Sequence, residues 1–260
     1  MSEIEFLGAL HVELLRRREL RPERSEHEVF QTSTINALLG GAFDGDVTLS
    51  DVLAHGDMGL GTLDGLDGEL IIVDGRAWKA NFDCTLVDVP ASGRTPYAVV
   101  VPFSPGRPIR WRGPLTNSEL ERRLEHHLEE TTRPSAIRID GHFDTVHVRS
   151  VAKQRRPYPP LATVIAQQHV STLVDVSGTM VGFGFPDALD GLEMVGWHLH
   201  FVTEDRTLGG HVLSYTLGEA TATLDDVTDL HVELPKAVDA HPGVTPEQET
   251  LQRLETDRRV

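Results

Sequence analysis

Three histidines in the C-terminal half of the chain, His198, His200 and His211, have the residue type and the spacing of a metal site. His198 and His200 lie two residues apart in Trp-His-Leu-His-Phe-Val-Thr, and because strand side chains alternate, both share one face. A turn centred between Asp205 and Arg206 places His211 opposite His200, where facing Cβ atoms lie about 5 Å apart. Three converging imidazoles can supply three metal–nitrogen bonds of about 2 Å.

Both faces of this predicted hairpin are apolar, which indicates burial. The flanking side chains are Val202, Leu213 and Tyr215 on the histidine face and Trp197, Leu199 and Phe201 on the other. Buried imidazoles need polar partners, and one metal ion satisfies all three. Three neutral ligands favour Zn²⁺ with open positions for substrate, although iron, manganese, nickel and copper accept the same ligands. Hydrogen-bonded core histidines without a metal are the alternative.

The other side chains that could react, those of Cys84, His126 and His127, are predicted to have ordinary structural roles. Cys84 is the only cysteine, so it forms no intrachain disulfide, and its setting predicts a buried thiol on a strand rather than a nucleophile. His126 and His127 are adjacent in a predicted helix over residues 116–130 and therefore point apart, which is typical of surface residues.

The elements that position the histidines are predicted to be mainly strands. Asp74-Gly75 predicts a hairpin that pairs Glu69–Val73 with Arg76–Ala80. Further strands are predicted at 137–139 and 146–151, separated by Asp140-Gly141. Thr48 or Ser50 can cap a short helix that contains Val52.

Two further helices are predicted. Apolar residues at helical intervals predict an amphipathic helix over 4–19, and its cationic end at Arg16, Arg17 and Arg18 suits the helix dipole. The helix over 116–130 can be capped by Asn117 or Ser118. Its apolar stripe consists of Leu120, Leu124 and Leu128.

Prolines at 157, 159 and 160 mark the predicted lobe boundary. We predict an N-terminal helix and connector at 1–28, an α/β lobe at 29–156, a β-rich lobe with the metal site at 157–236 and a tail at 237–260. The expected fold class is α+β (mixed α/β), with two lobes built on mixed, largely antiparallel β-sheets and a few helices.

Charge and hydropathy narrow the range of partners. The 260-residue chain has a formal net charge of -16, which disfavours nucleic acid and anionic membranes. No apolar run approaches the ~20 residues of a membrane span, and the acidic N-terminus lacks the features of a signal peptide. These features predict a cytoplasmic protein. An anionic substrate then requires a local positive centre, either a buried cation or an arginine.

Several longer stretches follow one another in order over residues 29–217. They include Gln31-Thr-Ser-Thr-Ile-Asn-Ala-Leu-Leu, His55-Gly-Asp-Met-Gly-Leu-Gly-Thr-Leu-Asp-Gly-Leu-Asp-Gly-Glu-Leu, Ile137-Arg-Ile-Asp-Gly-His-Phe, Arg149-Ser-Val-Ala-Lys-Gln and Gly196-Trp-His-Leu-His-Phe. Taken together, this segment resembles the alpha-acetolactate decarboxylase family.

The resemblance implies two α/β lobes, a homodimer and one zinc ion per chain on the three histidines. It also implies that Thr62, Glu69 and Arg149 line the active site. A glutamate near the C-terminus completes the family's site, and Glu255 is its counterpart here, with Glu247 and Glu249 as rivals.

The implied reaction converts (S)-2-acetolactate to (R)-acetoin and CO₂. A metal serves as the Lewis acid for the enediolate left by decarboxylation. Arg149 holds the carboxylate or the oxyanion, Glu69 or Glu255 delivers one proton to one face, and Thr62 orients a substrate oxygen.

Other interpretations stay open at this point. A metal-dependent oxygenase or isomerase of a small hydroxy-oxo acid also uses a histidine triad, and a non-catalytic metal or small-ligand binding protein could keep the same scaffold. Without the resemblance, Glu69 is expected to be an exposed carboxylate at a strand start, Arg149 a surface or interlobe ion pair and Thr62 a turn hydroxyl.

Overall fold

The computed structural model describes residues 11–15, 26–131 and 133–234. Within these ranges the chain is mostly strand with a few short helices, as the sequence predicted. The strands are β1 (His11–Leu15), β2 (Glu28–Thr32), β3 (Val47–Thr48), β4 (Met58–Thr62), β5 (Glu69–Val73), β6 (Arg76–Ala80), β7 (Leu86–Asp88), β8 (Arg94–Thr95), β9 (Tyr97–Val101), β10 (Ile109–Trp111), β11 (Leu115–Thr116), β12 (Ser135–Ser150), β13 (His169–Phe185), β14 (Gly196–Thr203), β15 (Gly209–Asp226) and β16 (Asp229–Glu233). The helices are α1 (Ile35–Leu39), α2 (Leu49–His55), α3 (Asn117–Thr131) and α4 (Leu161–Ile165), with a 3₁₀ turn at Asp187–Leu189.

The first large sheet has eight strands in the order β1-β16-β2-β9-β4-β5-β6-β7. Its β1, β16 and β2 pair in parallel, and the remaining pairs are antiparallel. The predicted hairpin is confirmed, since Val73 pairs with Arg76 across Asp74 and Gly75. Both turn residues have positive φ, as a tight two-residue hairpin turn requires.

The second large sheet has the order β10-β15-β12-β13-β14, and β14 also pairs with β15. Its β12 is one continuous strand of 16 residues, so the prediction of two strands separated by Asp140-Gly141 was wrong. Register shifts between β12 and β15 at Gly141/Phe143 bend the strand without ending it. The small β3–β8 pair lies outside both large sheets.

A single apolar cluster joins the two large sheets. It contains Leu60 and Ile71 from the first sheet and Val181, Phe183 and Val202 from the second, together with residues of α1 and α4. Sheet membership does not change at residue 157, because β10, β11 and β12 precede it in the second sheet and β16 returns to the first. The predicted boundary at residue 157 therefore does not separate the sheets.

The two helices predicted over 4–19 and 116–130 had different outcomes. The predicted helix over 4–19 is wrong for its described part, since His11–Leu15 is a strand that pairs with β16, and such long-range pairing overrides weak helical propensity. The predicted helix at 116–130 is confirmed as α3, with Leu120 and Leu124 buried. Just before its first residue, the backbone N–H and the hydroxyl of Thr116 both donate to the Glu119 carboxylate in the first turn.

Cys84 is buried, as predicted, but lies in the turn between β6 and β7 rather than on a strand. Burial raises the pKa of its thiol to about 11, which keeps it protonated and unreactive at neutral pH. No helix in the described part of the chain has the length and hydropathy needed to cross a membrane.

Candidate metal centre

The three predicted ligands converge between β14 and β15. His200 pairs directly with His211, which confirms the register expected from a turn centred between Asp205 and Arg206. The ring centroids of His198, His200 and His211 lie 4.9 to 5.3 Å apart. One nitrogen from each ring falls within 4.8 Å of the other two, and His198 Nε2 lies 3.1 Å from His211 Nδ1. The triad therefore has the compactness that a single metal ion requires.

The hydrogen bonding of His200 tests whether this site fits a metal. Its ring is fully buried, and Nδ1 lies 2.8 Å from the carbonyl oxygen of Leu70 on β5. A carbonyl only accepts, so Nδ1 donates its proton and the neutral ring keeps a lone pair on Nε2. That buried Nε2 has no hydrogen-bond partner. A metal ion would satisfy it, and the donor set of three imidazoles is one that zinc accepts.

The protonation state of His200 agrees with ligation. Burial is the main cause that lowers the pKa of its imidazole well below the ordinary value of 6.5, and the neighbouring His198 and His211 lower it further. A neutral imidazole is the form that binds a metal.

Glu69 and Arg149 form a buried ion pair beside the triad. Arg149 Nη1 lies 2.7 Å from Glu69 Oε1, and the two residues are only 5% and 6% exposed. The other carboxylate oxygen, Glu69 Oε2, lies 3.6 Å from His200 Nε2. Arg149 on β12 pairs in register with His211 on β15, so the sheet itself brings the guanidinium to the histidines. Glu69 is therefore not the exposed carboxylate expected without the family resemblance, and the ion pair of Arg149 is buried between the two large sheets rather than at the surface.

Thr62 ends β4 and pairs in register with Glu69. Its hydroxyl is buried and donates to the carbonyl oxygen of Gly68 at 2.7 Å, which closes the turn between β4 and β5. Because the Thr62 hydroxyl already donates its proton to Gly68, its oxygen can only accept a hydrogen bond from another group.

One cavity brings these residues together. Thr62, Glu69, Arg149 and His198 line it, and the rest of its wall is mainly apolar, from Ile35, Leu38, Leu66, Val151, Leu161 and Ile165. Such walls exclude water and strengthen electrostatic interactions inside. Glu255 and its rivals Glu247 and Glu249 lie outside the described residues, so their position relative to this cavity stays a prediction.

Two residues of this region were missed by sequence reasoning. Tyr97, the first residue of β9, also lines the cavity, and its hydroxyl donates to Glu193 Oε2 at 2.5 Å. Glu193 is 1% exposed, and burial raises the pKa of its carboxyl to about 8, against a smaller lowering by Tyr97. No sequence spacing links two positions 96 residues apart. The only signal was an acidic residue in the apolar stretch Gly-Leu-Glu-Met-Val.

Sequence comparison adds a family context. A family model described as alpha-acetolactate decarboxylase matches residues 29–241. The alpha-acetolactate decarboxylase of Methylococcus capsulatus is 39% identical over 211 residues, which are 81% of this chain and 81% of the relative. The alpha-acetolactate decarboxylase of Methanosarcina mazei is 38% identical over 229 residues, or 87% of this chain and 80% of the relative.

Structural comparison agrees with the sequence matches. The crystal structure of alpha-acetolactate decarboxylase from Bacillus subtilis strain 168 superposes with a TM-score of 0.84 at 33% identity. The match covers 88% of this chain and 99% of that structure, so the similarity extends well beyond the histidine hairpin.

Proposed function

This chain belongs to the alpha-acetolactate decarboxylase family, and we propose that it converts (S)-2-acetolactate to (R)-acetoin and CO₂. It is an enzyme of the carboxy-lyase class, and the sequence and structure matches do not favour the oxygenase, isomerase or binding-protein alternatives. The observation that carries the proposal is the close association of the histidine triad with the buried Glu69–Arg149 pair.

We propose that His198, His200 and His211 hold one Zn²⁺. The support is the orphaned Nε2 of His200, the tautomer imposed by Leu70 and the purely imidazole donor set. When bound, the metal supplies Lewis-acid stabilisation for the negative charge that decarboxylation transfers to the ketone oxygen.

Arg149 is the proposed binding group for the substrate carboxylate. It is a buried cation in a chain of net charge -16, which answers how so acidic a protein attracts an anion. Its planar guanidinium can hold a carboxylate through two parallel hydrogen bonds. Substrate would then compete with Glu69 for the guanidinium. A Glu69 carboxylate displaced from Arg149 in this way can take up one proton from solvent, which is the proton that it later gives to the enediolate carbon.

Glu69 is the proposed proton donor within the described residues. Its carboxyl lies between Arg149 and the metal-binding nitrogen of His200, so it borders the space that the enediolate carbon must occupy. Glu255 is the proposed second carboxyl, contributed by the tail. Thr62 is proposed to accept a hydrogen bond from the substrate hydroxyl, because its own proton is held by Gly68.

The proposal has three broader parts. The family resemblance supports a homodimer and a two-lobe organisation, and we propose that the lobes follow the two large sheets rather than the segments 29–156 and 157–236. A cytoplasmic location is proposed from the charge and hydropathy of the sequence. Light scattering of the purified protein tests the first: a monomer at micromolar concentration would contradict it.

The decisive experiment combines metal analysis with chiral detection of product. Zinc-loaded protein is given racemic 2-acetolactate, and we expect CO₂ release with (R)-acetoin as product. Activity should disappear with a chelator and return with zinc. His198→Ala should lose activity and metal together, whereas the control His142→Ala, which changes a partly exposed histidine on β12, should keep both. Metal-replete wild-type protein that releases no CO₂ would overturn the assignment.

A further inference from the structure

A second group of side chains that can bind a metal lies where α2 packs on the parallel section of the first sheet. Glu28, His55 and His231 each offer one ligand atom, and these atoms lie within 4.8 Å of one another. They share no residue with the histidine triad or with the cavity that Thr62 and Arg149 line. The group is therefore independent of the proposed active site.

Three separate elements bring this group together. Glu28 is the first residue of β2, His231 is the central residue of β16, and His55 is the last residue of α2. The parallel register of β16 and β2 pairs His231 with Phe30, and Glu28 lies two residues before Phe30 on the same face. Helix α2 covers that face and contributes His55.

The two histidines are buried and held in fixed orientations. His231 is 3% exposed and His55 is 6% exposed. Phe30 stacks on the His55 ring at a centroid distance of 4.0 Å and meets the His231 ring edge-on at 5.1 Å. This packing restricts both rings before any ligand arrives, which reduces the entropy that binding would cost. Glu28 retains 20% exposure of its side chain, which gives an ion access from solvent.

The spacing is close to that of a bound ion. His231 Nδ1 lies 3.9 Å from Glu28 Oε1, and the two imidazole centroids are 5.8 Å apart. Tetrahedral zinc with bonds of about 2 Å holds its ligand atoms roughly 3.3 Å from one another. Glu28 is the most exposed of the three residues, so rotation of its side chain can shorten the distance from its carboxylate to the His231 ring.

We propose that Glu28, His55 and His231 bind a second divalent cation of the zinc type. Two imidazoles and one carboxylate form a donor set that proteins use for Zn²⁺, and the carboxylate offsets part of the ion's charge. The ion clamps β2 to β16, whose residues lie about 200 positions apart in sequence, and ties both to α2. Its role is structural, since it lies outside the reaction cavity.

Zinc counting in matched variants tests this site. Wild-type protein, equilibrated with excess Zn²⁺ and freed of loosely bound ion, should retain about two zinc ions per chain, and Glu28→Gln should retain about one. The matched control Glu26→Gln changes an exposed acid two residues earlier and should retain the wild-type content. A wild-type content of one ion, or equal contents in Glu28→Gln and wild type, would overturn the proposal.

A second background separates this site from the proposed active site. His198→Ala/His200→Ala removes two ligands of the triad and should still retain about one zinc ion, which Glu28→Gln in that background should abolish. Cobalt(II) in the same background gives a visible absorption spectrum that reports tetrahedral nitrogen and oxygen ligation. In this way loss of decarboxylase activity and loss of the second ion are measured independently. Absence of cobalt absorption in the folded double variant would also count against the site.

Discussion

The backbone carbonyl of Leu70 decides which nitrogen of His200 is available. By accepting from Nδ1, it leaves the lone pair on Nε2, directed at the space shared with His198 and His211. Glu69 occupies the other side of that space and is held by Arg149. At the residue scale the site thus consists of a histidine half, which is the proposed metal site, and an ion-pair half, with Glu69 between them.

The Glu69–Arg149 pair yields a prediction about stability. Arg149→Met leaves the buried Glu69 carboxylate without its guanidinium partner, and removing one member of a buried pair costs about 3–5 kcal/mol. The double variant Glu69→Gln/Arg149→Met should recover part of that loss, because no lone charge remains. Urea unfolding of the zinc-free proteins measures the free energy of unfolding of the single and the double variant.

The control is an ion pair of the same type at the surface. Arg138 pairs with both Asp74 and Asp140, whose side chains are 62% and 48% exposed, so Arg138→Met should cost about 1 kcal/mol, well below the loss at the buried pair. Equal losses for the Arg138 and Arg149 variants would contradict the importance assigned to burial.

Glu193 yields a prediction about pH. Burial raises the pKa of its carboxyl from 4.5 to about 8, so between these values the folded protein keeps a proton that the unfolded chain has released. This proton contributes its full share to the free energy of unfolding below pH 4.5. From pH 4.5 to pH 8 that contribution decreases by about 1.4 kcal/mol per pH unit. Glu193→Gln cannot titrate, and its free energy of unfolding relative to wild type should therefore rise across this window. A difference that stays constant with pH would contradict the protonated carboxyl.

Helix α2 shows how one local motif sets the position of a more distant residue. Thr48 forms a reciprocal capping box with Asp51, which fixes the start of the helix whose last residue is His55. The sequence left Thr48 and Ser50 as rival caps, and the structure identifies Thr48. This cap therefore helps to fix how α2 lies over β2 and β16.

Substitution of the cap tests that assignment. Thr48→Ala should lower the free energy of unfolding by about 1 kcal/mol, the usual cost of losing an N-cap oxygen. Ser50→Ala, which changes an exposed residue inside the helix, should be close to neutral. The two variants are compared by denaturant unfolding, and a larger loss for Ser50→Ala would reverse the assignment.

Strands β13 and β14 approach each other closely because Gly182 has no side chain. A Cβ added at Gly182 would lie 2.0 Å from the carbonyl oxygen of His198, so the strands must separate to accommodate it. Gly182→Ala should therefore displace β14 and weaken zinc binding at least about tenfold, since small shifts in supporting groups already have that effect. Val174→Ala on the exposed part of β13 is the control and should bind zinc normally. Competition with a chromophoric chelator measures both affinities.

At the scale of the whole molecule, the site lies where the two large sheets meet. The hydrogen bond from His200 to Leu70 and the ion pair from Arg149 to Glu69 both cross from the second sheet to β5 of the first. The main apolar cluster also draws residues from both sheets. Occupation of the proposed metal site is therefore expected to depend on the packing of one sheet against the other.

This coupling predicts a single thermal transition that depends on zinc. Free zinc at about 1,000 times its dissociation constant adds about 4 kcal/mol of stability for each site that it fills, which raises Tm by roughly 8–16 °C per site for a chain of this size. Calorimetry with zinc and with a chelator measures the shift. Two separate transitions, of which only one responds to zinc, would show that the sheets unfold independently.

Several features followed from the sequence because they depend on neighbours in the chain. Alternation along β14 and the length of its turn were enough to predict the register of His200 with His211, which the structure confirms. Asp74-Gly75 predicted the β5–β6 hairpin, and the leucine stripe predicted α3. Each of these depends on a repeat or turn chemistry contained within about 20 residues.

Other features required contacts between distant segments, and only the tertiary structure decided them. The strand at His11–Leu15 forms by pairing with β16, more than 200 residues later, and no local pattern records that partner. The same holds for the tautomer of His200, the burial of Glu69 against Arg149 and the Tyr97–Glu193 pair. The sequence alone determined that His198, His200 and His211 can bind a metal, and that His200 and His211 face one another across the hairpin. The packing of the two sheets determined what surrounds them, because desolvation and charge pairing depend on neighbours that are close only in space.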